Sequence, residues 1–334
     1  MIRLSDHIAA AGGWLSLEAF MQLALHHPQE GYYSSSIENI GQRGDFSTTP
    51  TLSPILAKAI AAHWKEACSR CGRRLPLLEI GAGSGALAVK ILERLGFWNR
   101  LNTDYVIVES SPRLREFQHL LLGGRAKIYS TMEKALKHCG GKAFIFSNEL
   151  VDAFPARVFE YTEQDWKEVG LVVKNGAVRE ELRPVRQQPL FSHMLEYGSQ
   201  PGQRVEIHDS YARWFTSWLP LWNMGVMDYG DEMERLYYRR PRGSLRGYKS
   251  HQVLTGEELY RNPGLTDLTC DVNFTDLLEL SRNCLGDRVT LMTQRDYLLP
   301  HAENTPQDAF LTDEHSAGGH FRVLIQERQR LQPE

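Results

Sequence analysis

The chain has 334 residues, with 38 Lys and Arg against 41 Asp and Glu, and a formal net charge of −3. This balance argues against nucleic acid as a partner, because such proteins usually carry an excess of positive charge. No apolar run is long enough to span a membrane, the N-terminus lacks a secretory signal, and five cysteines make no disulfide framework. These features predict a soluble, cytoplasmic protein with no structural metal site.

Residues 1–52 are predicted to form a helical segment followed by a substrate loop. The helical part covers residues 1–30, with Ser16 as an N-cap. The loop, GYYSSSIENIGQRGDFSTTPTLSP, contains Tyr32, Tyr33 and Asp45. Aromatic and acidic residues within such an irregular segment favour a binding loop. The alternative is a surface loop whose aromatic rings pack against the body of the protein.

A glycine-rich turn between a strand and a helix is the strongest motif in the chain. The segment LPLLEIGAGSGALAVKILERL contains an apolar strand, three closely spaced glycines and a helical repeat of apolar residues. Glycines allow a tight turn at positive φ and let a ligand approach the N–H groups at the start of the helix. We therefore predict a ligand site at this turn, formed by Glu79, Gly81, Ala82, Gly83 and Gly85.

The glycine motif leaves two cofactors open. GAGSGA fits the dinucleotide pattern, so NAD is one candidate, and S-adenosyl-L-methionine binds at the same kind of turn. Both cofactors need a ribose-binding carboxylate at the end of the second strand, where Glu109 closes TDYVIVES. The adenine is predicted to lie near Ser110 and the turn formed by Thr131 and Met132.

Strands and helices alternate after this turn. The strands TDYVIVES, AKIYS and KAFIFSN are separated by the helices PRLREFQHLLL and TMEKALKHC. This order predicts an α/β fold with a doubly wound, mostly parallel, Rossmann-like sheet, whose core occupies residues 53–155. Asn148, Glu149 and Asp152 follow the fourth strand, at the sheet edge where ligands bind. Asn148 is therefore a further candidate cofactor ligand.

The pattern changes beyond residue 155. Residues 156–222 are predicted to be an insertion, in which residues 156–185 form a β-hairpin or small meander that is added to the sheet domain and turns at Asn175-Gly176. Helices are predicted near 189–197 and 209–221. Residues 223–334 supply the remaining core strands, GVMDYG, RVTLMTQ and HFRVLIQE, of which the last two form an edge hairpin. Residues 230–270 read as a long irregular loop at the substrate cleft.

With these segments placed, the sequence resembles the MidA-type family of S-adenosylmethionine-dependent methyltransferases. That family includes the mitochondrial complex I assembly-factor arginine methyltransferases. The resemblance covers nearly the whole chain. One departure is DLTCDVNF, where the family pattern is DLT-x-HVDF, so that Asp271 and Asn273 occupy the changed positions. The other segments that carry the resemblance are EGYYSSS, GDFSTTP, EIGAGSGALAVKIL, VESSPRLREFQ, SNELVDAFPARVFE, MDYGDE, LYYRRPRGSLRGYKSHQV, PGLTDLTCDVNF, TQRDYLL and FRVLI.

The resemblance implies a class I methyltransferase core with S-adenosyl-L-methionine as cofactor. It also implies that the methyl acceptor is an arginine guanidinium on a partner protein. A guanidinium stays protonated in water, so carboxylates must orient it and hold its charge. Glu149 and Asp152 are the first candidates, Asp45 and Asp228 the second, and His251 is a candidate proton acceptor. For Glu149 and Asp152, capping of a helix N-terminus is the structural alternative. For His251, a loop histidine with its hydrogen bonds satisfied locally is favoured over the catalytic role.

Two other functions stay open at this stage. One is an NAD-dependent oxidoreductase, although no catalytic constellation for hydride transfer is evident. The other is a non-catalytic assembly factor that keeps the cofactor pocket. The predicted substrate cleft brings the GYY and GDF segments, the residues after the fourth strand and the 230–255 region together over the donor methyl group.

Overall fold

The computed structural model describes residues 2–36, 53–96, 102–196, 198–215, 223–249 and 252–327. The helices are α1 (Leu4–Ala10), α2 (Leu17–His26), α3 (Ile55–Cys71), α4 (Ala86–Arg94), α5 (Pro112–Leu122), α6 (Met132–His138), α7 (Asp209–Phe215), α8 (Met233–Arg239), α9 (Phe274–Leu285), α10 (Gln294–Leu298), α11 (Pro306–Thr312) and α12 (Ala317–His320). The strands are β1 (Leu15–Ser16), β2 (Leu77–Ile80), β3 (Tyr105–Val108), β4 (Lys127–Tyr129), β5 (Phe144–Asn148), β6 (Arg157–Tyr161), β7 (Trp166–Lys174), β8 (Ala177–Pro184), β9 (Arg204–Ile207), β10 (Asn223–Asp231), β11 (Arg246–Lys249), β12 (Gln252–Leu254), β13 (Asp267–Thr269), β14 (Val272–Asn273), β15 (Val289–Thr293) and β16 (Phe321–Gln326).

The chain divides into two compact units, each built from several segments. The first unit comprises Met1–Asn39, Val151–Phe215 and Asp231–Asp276. The second comprises Ile40–Leu150, Thr216–Gly230 and Leu277–Glu334. Among the described residues, no helix has the length and hydropathy that a membrane crossing requires.

The second unit is an α/β structure with one large sheet. Its strands follow the order β15-β16-β10-β5-β2-β3-β4. The five strands β10, β5, β2, β3 and β4 are parallel to one another. Strand β16 is antiparallel to both β10 and β15. The predicted doubly wound, mostly parallel sheet is therefore confirmed. The edge pair β15 and β16 is also confirmed, with α10, α11 and α12 between the two strands in the sequence.

Apolar side chains on one face of this sheet form the core beneath α3 and α4. The Ser53 hydroxyl accepts from the Ile55 N–H at 3.0 Å, which fixes the start of α3, and Gly72 ends the helix at φ 66. Within α3, Trp64 is buried and its Nε1 donates to the Leu75 carbonyl at 2.9 Å, immediately before β2. The residues that complete this core from the sheet and from α4 include Leu77, Tyr105, Ile107, Phe144, Phe146, Ala88 and Ile91.

The order of the parallel strands reverses on either side of β2. This strand pairs with β3 on one side and with β5 on the other. In open α/β sheets a ligand binds beyond the carboxyl ends of the strands at such a reversal. The fold therefore directs attention to the ends of β2 and β5, which are Ile80 and Asn148.

The first unit contains the hairpin that the sequence placed in the sheet domain, and that placement is wrong. Strand β7 pairs with β6, β8 and β1, and β6 also pairs with β9, so these strands form a sheet of their own. Strand β1 lies far from β7 in the sequence, and no local pattern reveals that pairing. The predicted turn is correct: Asn175 and Gly176 both have positive φ, 52° and 75°.

The 230–270 region is more regular than the sequence indicated. It contains α8 and a three-stranded sheet in the order β12-β11-β13. These strands have only three or four residues, and β11 and β13 include charged side chains, so they show no clear alternation. Near 189–197 the predicted helix is a single 3-10 turn, His193–Glu196. Residues 216–222 lie outside the described residues, and α7 is described as far as Phe215.

Candidate cofactor and active site

The glycine turn follows β2 directly and opens α4. Gly81, Gly83 and Gly85 all have positive φ, at 68°, 53° and 80°. The Gly81 N–H donates to the Val108 carbonyl at 2.9 Å, which ties the turn to the end of β3. Gly85 is the N-cap of α4, so the turn leads into the positive end of the helix dipole. The strand–turn–helix arrangement predicted from the sequence is therefore present.

Leu150 packs directly against the first glycine of this turn. A Cβ atom added to Gly81 would lie only 2.6 Å from Leu150 Cδ1, closer than real side-chain contacts allow. The absence of a side chain at Gly81 thus lets the segment after β5 approach the glycine turn. Both residues belong to the second unit.

Glu109 lies at the end of β3, as expected for the ribose carboxylate. Its Oε1 accepts from the Ser111 N–H at 2.9 Å, and its Oε2 accepts from Gln118 Nε2 at 3.3 Å. Burial raises the pKa of Glu109, whereas these hydrogen bonds and the nearby Arg115 lower it. The Glu109 N–H donates to the Tyr129 carbonyl at 2.9 Å, which places the end of β4 beside it.

Glu79 is the second buried carboxyl group at this end of the sheet. It sits within β2, and the Tyr105 hydroxyl donates to its Oε2 at 2.7 Å. Burial raises the pKa of Glu79 to about 7, the negative charge of Glu109 acts in the same direction, and the bond from Tyr105 opposes them. The Glu79 carboxyl can therefore hold a proton near neutral pH.

The residues predicted near the adenine occupy two neighbouring turns. Ser110 is exposed, and its carbonyl accepts from Arg115 Nη1 at 2.7 Å. The Thr131 hydroxyl accepts from the Lys134 N–H at 3.4 Å as the N-cap of α6, and Met132 is the first residue of that helix. Their assignment to the adenine stays a prediction.

Glu149 holds an unusual backbone conformation immediately after β5. Its φ of 50° lies in the left-handed region, which is unfavourable for residues other than glycine. The Glu149 N–H still donates to the Met227 carbonyl at 2.9 Å, and Asn148 Nδ2 donates to Glu149 Oε1 at 3.3 Å. Strained non-glycine residues of this kind are concentrated at functional sites.

Asp228 supports the same turn from β10. It is fully buried. Its Oδ2 accepts from the Leu150 N–H at 3.1 Å, and its Oδ1 accepts from the Tyr229 N–H at 2.9 Å. Each carboxylate oxygen of Asp228 is thus engaged by a backbone group, a pattern that favours a supporting role over contact with a substrate.

In the first unit, Asp152 belongs to a group of polar side chains around Tyr33, here called the Tyr33 cluster (Tyr33, Asp152, Asp267 and Thr269). The Tyr33 hydroxyl donates to Asp267 Oδ1 at 3.0 Å, and the Thr269 hydroxyl donates to Asp152 Oδ2 at 2.7 Å. Burial, together with the charges of Asp267 and Asp152, raises the pKa of Tyr33. The sequence analysis missed Asp267 and Thr269, although both lie in the DLT segment.

Two candidates, Asp45 and His251, lie outside the described residues. The two departures from the family pattern have local partners in the first unit. Asp271 accepts from Arg246 Nη1 at 2.7 Å and from Arg240 Nε at 3.2 Å. Asn273 Oδ1 accepts from the Thr275 N–H at 3.1 Å, at the start of α9.

Gln118, which was not predicted from the sequence, contacts both the glycine turn and Glu109. It is fully buried in α5, and its Nε2 donates to the Gly83 carbonyl at 2.9 Å as well as to Glu109. A signal was available, because Leu114, Gln118 and Leu122 recur at intervals of four residues and form the buried stripe of α5. A polar residue within an apolar stripe points to a specific partner.

Comparison with known proteins decides between the cofactors. The model of a family of S-adenosyl-L-methionine-dependent methyltransferases matches residues 55–292. The chain belongs to this family. The methyltransferase is also similar to a protein from Burkholderia thailandensis solved with S-adenosyl-homocysteine bound, with a TM-score of 0.85, 25% identity, and coverage of 97% of this chain and 90% of that one. S-adenosyl-L-methionine is therefore its cofactor, and the NAD alternative is not favoured.

Several curated relatives of the methyltransferase are named protein arginine methyltransferase NDUFAF7, mitochondrial. The protein from Xenopus tropicalis is 26% identical over 86% of this chain and 71% of its own length. The protein from Danio rerio is 27% identical over 87% and 75%, and that from Homo sapiens is 23% identical over 84% and 69%. These relatives confirm the predicted family resemblance. The predicted cytoplasmic location is wrong by this comparison, because the relatives are mitochondrial.

The second unit has features that fit an adenosyl cofactor. The three glycines at positive φ leave the backbone of the turn without side chains. Glu109 supplies a carboxylate at the end of the neighbouring strand, as ribose hydroxyls require. Gln118 Oε1 is buried and has no hydrogen-bond partner among the described residues, which leaves an acceptor for a donor brought by a ligand.

Proposed function

We propose that this methyltransferase transfers a methyl group from S-adenosyl-L-methionine to a guanidinium nitrogen of an arginine on a partner protein. The observation that carries the proposal is its similarity, over more than four-fifths of the chain, to relatives named protein arginine methyltransferases. The position of Glu149, in a strained conformation next to the strand reversal, adds support from the geometry.

The glycine turn and Glu109 are the proposed cofactor ligands. The turn formed by Gly81, Ala82, Gly83 and Gly85 holds the methionine part, and Glu109 accepts from the ribose hydroxyls. When bound, the cofactor supplies an electrophilic methyl group on a sulfonium. Methyl transfer is an in-line displacement, so the protein contributes mainly by positioning the nucleophile.

Carboxylates are needed to hold the acceptor because a guanidinium stays protonated, with a pKa above about 12. Glu149 is the proposed first contact, because its backbone is fixed by the Met227 carbonyl and its side chain is oriented by Asn148. Asp152 follows three residues later and is held by Thr269 in the Tyr33 cluster. The methylated nitrogen must lose a proton, for which His251 stays the candidate, and Asp45 stays a second-rank candidate for holding the guanidinium. The predicted assembly of Tyr32, Asp45 and Glu149 in one cleft also stays a prediction.

The experiment is incubation of the wild-type protein with S-adenosyl-L-methionine labelled in its methyl group and a cell lysate. The proposal predicts labelled protein bands, and peptide mass analysis should find the label on arginine. Gly83→Val is the matched negative control, because a β-branched side chain at φ 53° distorts the glycine turn. Binding of the cofactor by calorimetry without transfer to any protein would instead favour a non-catalytic assembly factor.

A further inference from the structure

Gln118 occupies a position in α5 where an apolar residue would be the ordinary choice. It is fully buried between Leu114 and Leu122 along the helix. It also touches the glycine turn, because a Cβ atom added to Gly85 would lie 3.5 Å from Gln118 Cγ. Burial of an amide without hydrogen bonds is unfavourable, so its partners indicate its role.

The amide of Gln118 joins two parts of the cofactor site. Its Nε2 donates to the Gly83 carbonyl at 2.9 Å and to Glu109 Oε2 at 3.3 Å. Both partners are acceptors, so they fix which end of the amide faces them. The opposite end, Oε1, is buried without a hydrogen-bond partner among the described residues.

The bond from Gln118 also affects the protonation of Glu109. Burial favours the protonated carboxyl group, and the hydrogen bonds from Ser111 and Gln118 and the charge of Arg115 favour the carboxylate. Glu79, which accepts from the Tyr105 hydroxyl, is a further ionisable group near Glu109. Gln118 therefore helps to keep Glu109 ionised as well as oriented.

We infer that Gln118 is a positioning residue of the cofactor site, which holds the ribose carboxylate of Glu109 and the Gly83 carbonyl in one geometry through a single amide. This inference rests on the proposal that Glu109 binds the ribose of the cofactor. It assigns a role to α5 in cofactor affinity that the glycine motif does not supply.

The test compares Gln118→Met with the control Gln294→Met. Gln294 in α10 is also fully buried, donates its Nε2 to the Leu311 carbonyl at 3.2 Å, and has a buried Oε1 without a partner among the described residues. Both glutamines are equally buried, and Gln118→Met loses two hydrogen bonds whereas Gln294→Met loses one. The measurements are the melting temperature and the Kd of S-adenosyl-homocysteine by calorimetry, from about pH 5.5 to about pH 8.5.

We expect Gln118→Met to raise the Kd at least tenfold at neutral pH. As the pH is lowered, the affinity of this variant for S-adenosyl-homocysteine should also begin to fall at a higher pH than that of the wild type. The reason is that Glu109 protonates more readily without the bond from Gln118. Gln294→Met should lower the melting temperature but leave the Kd unchanged. As a second variant, Gln118→Glu keeps the shape and places a negative charge beside Glu109, so binding should weaken further.

Two outcomes would contradict the inference in distinguishable ways. If Gln118→Met lowers only the melting temperature, with the same Kd at every pH, while Glu109→Gln loses binding, Gln118 is merely structural and the ribose assignment stands. If Glu109→Gln binds S-adenosyl-homocysteine as the wild type does, the proposed ribose site is wrong and the role of Gln118 falls with it.

Discussion

The Leu150 N–H donates to Oδ2 of the buried Asp228 at 3.1 Å, and the Leu150 side chain lies over Gly81. A single residue after β5 thus connects the end of β10 with the first glycine of the turn between β2 and α4. Asp228, predicted from the sequence as a second-rank catalytic carboxylate, is placed by these bonds to shape the turn that carries Glu149.

We expect Asp228→Asn to lower the free energy of unfolding by about 1–3 kcal/mol, because the amide NH₂ cannot accept from one of the two backbone N–H groups. It should also weaken binding of S-adenosyl-homocysteine by displacing Leu150. Asp231→Asn is the matched control: Asp231 is also buried, and accepts from the Glu232 N–H and from Arg239. That variant should lose similar stability with an unchanged Kd. Equal effects of both variants on the Kd would argue against a specific role for Asp228.

The contact between Gly81 and Leu150 can be tested by compensation. Gly81→Ala should greatly weaken cofactor binding, since its Cβ would lie 2.6 Å from Leu150 Cδ1. Leu150→Ala removes that atom, so the double variant should recover part of the lost affinity. Recovery will be incomplete because alanine is unfavourable at φ 68°. Calorimetry on the two single variants and the double variant gives the coupling energy, and strict additivity would mean that the contact does not matter for binding.

Substitutions of Glu149 can distinguish an effect on catalysis from an effect on stability, because the backbone of this residue is strained. Glu149→Gly should leave the melting temperature unchanged or higher, since glycine adopts φ 50° without the cost of about 1 kcal/mol that other residues carry. Methyl transfer by this variant should nevertheless be lost. Glu149→Gln removes only the charge, and transfer should fall at least tenfold with little change in cofactor Kd, as expected for a lost charge-assisted hydrogen bond of about 1.5–3 kcal/mol. Full activity of either variant would make Glu149 structural and direct attention to Asp152.

Glu79 should give the stability of the protein a specific pH dependence. Its pKa is raised to about 7 in the folded protein against an ordinary value of 4.5, so between these pH values the folded state keeps a proton that the unfolded state has lost. The resulting contribution of Glu79 to the free energy of unfolding is complete below about pH 4.5 and is lost as the pH rises through about 7. Its upper limit is about 3 kcal/mol.

Urea unfolding across this pH range tests that expectation. Glu79→Gln should remove this contribution, so the difference in the free energy of unfolding between the wild type and the variant should change with pH in this window. Tyr105→Phe removes the donor that lowers the pKa of Glu79, so its transition should move to higher pH. A pH-independent difference between the wild type and Glu79→Gln would show that this carboxyl group does not titrate there.

The glycine turn and the strands on either side of it were predictable because their signals are local. The glycines, the preceding apolar strand and the carboxylate that closes the next strand all follow one another within a short stretch of sequence. Gln118 was not found because its partners, Gly83 and Glu109, are joined to it only by the packing of α5 against the sheet.

The first unit was less predictable because its pairings are distant or short. Strand β1 pairs with β7, with Leu15 opposite Leu171, and no local sequence pattern in either segment predicts that pairing. Strands β11 and β13 are brief and contain charged residues, so the region resembled a loop. The Tyr33 cluster likewise joins residues from two ends of the sequence, and only the fold brings Tyr33 to Asp267.

The most direct test of the central claim is the chemical identity of the labelled amino acid. The wild-type protein and Glu149→Gly are incubated with methyl-labelled S-adenosyl-L-methionine and lysate, and the labelled proteins are hydrolysed and separated by chromatography. We predict that the label elutes as methylarginine with the wild type and is absent with Glu149→Gly and with Gly83→Val. Label in methyllysine or in a base-labile methyl ester, with none in arginine, would contradict the proposed arginine acceptor.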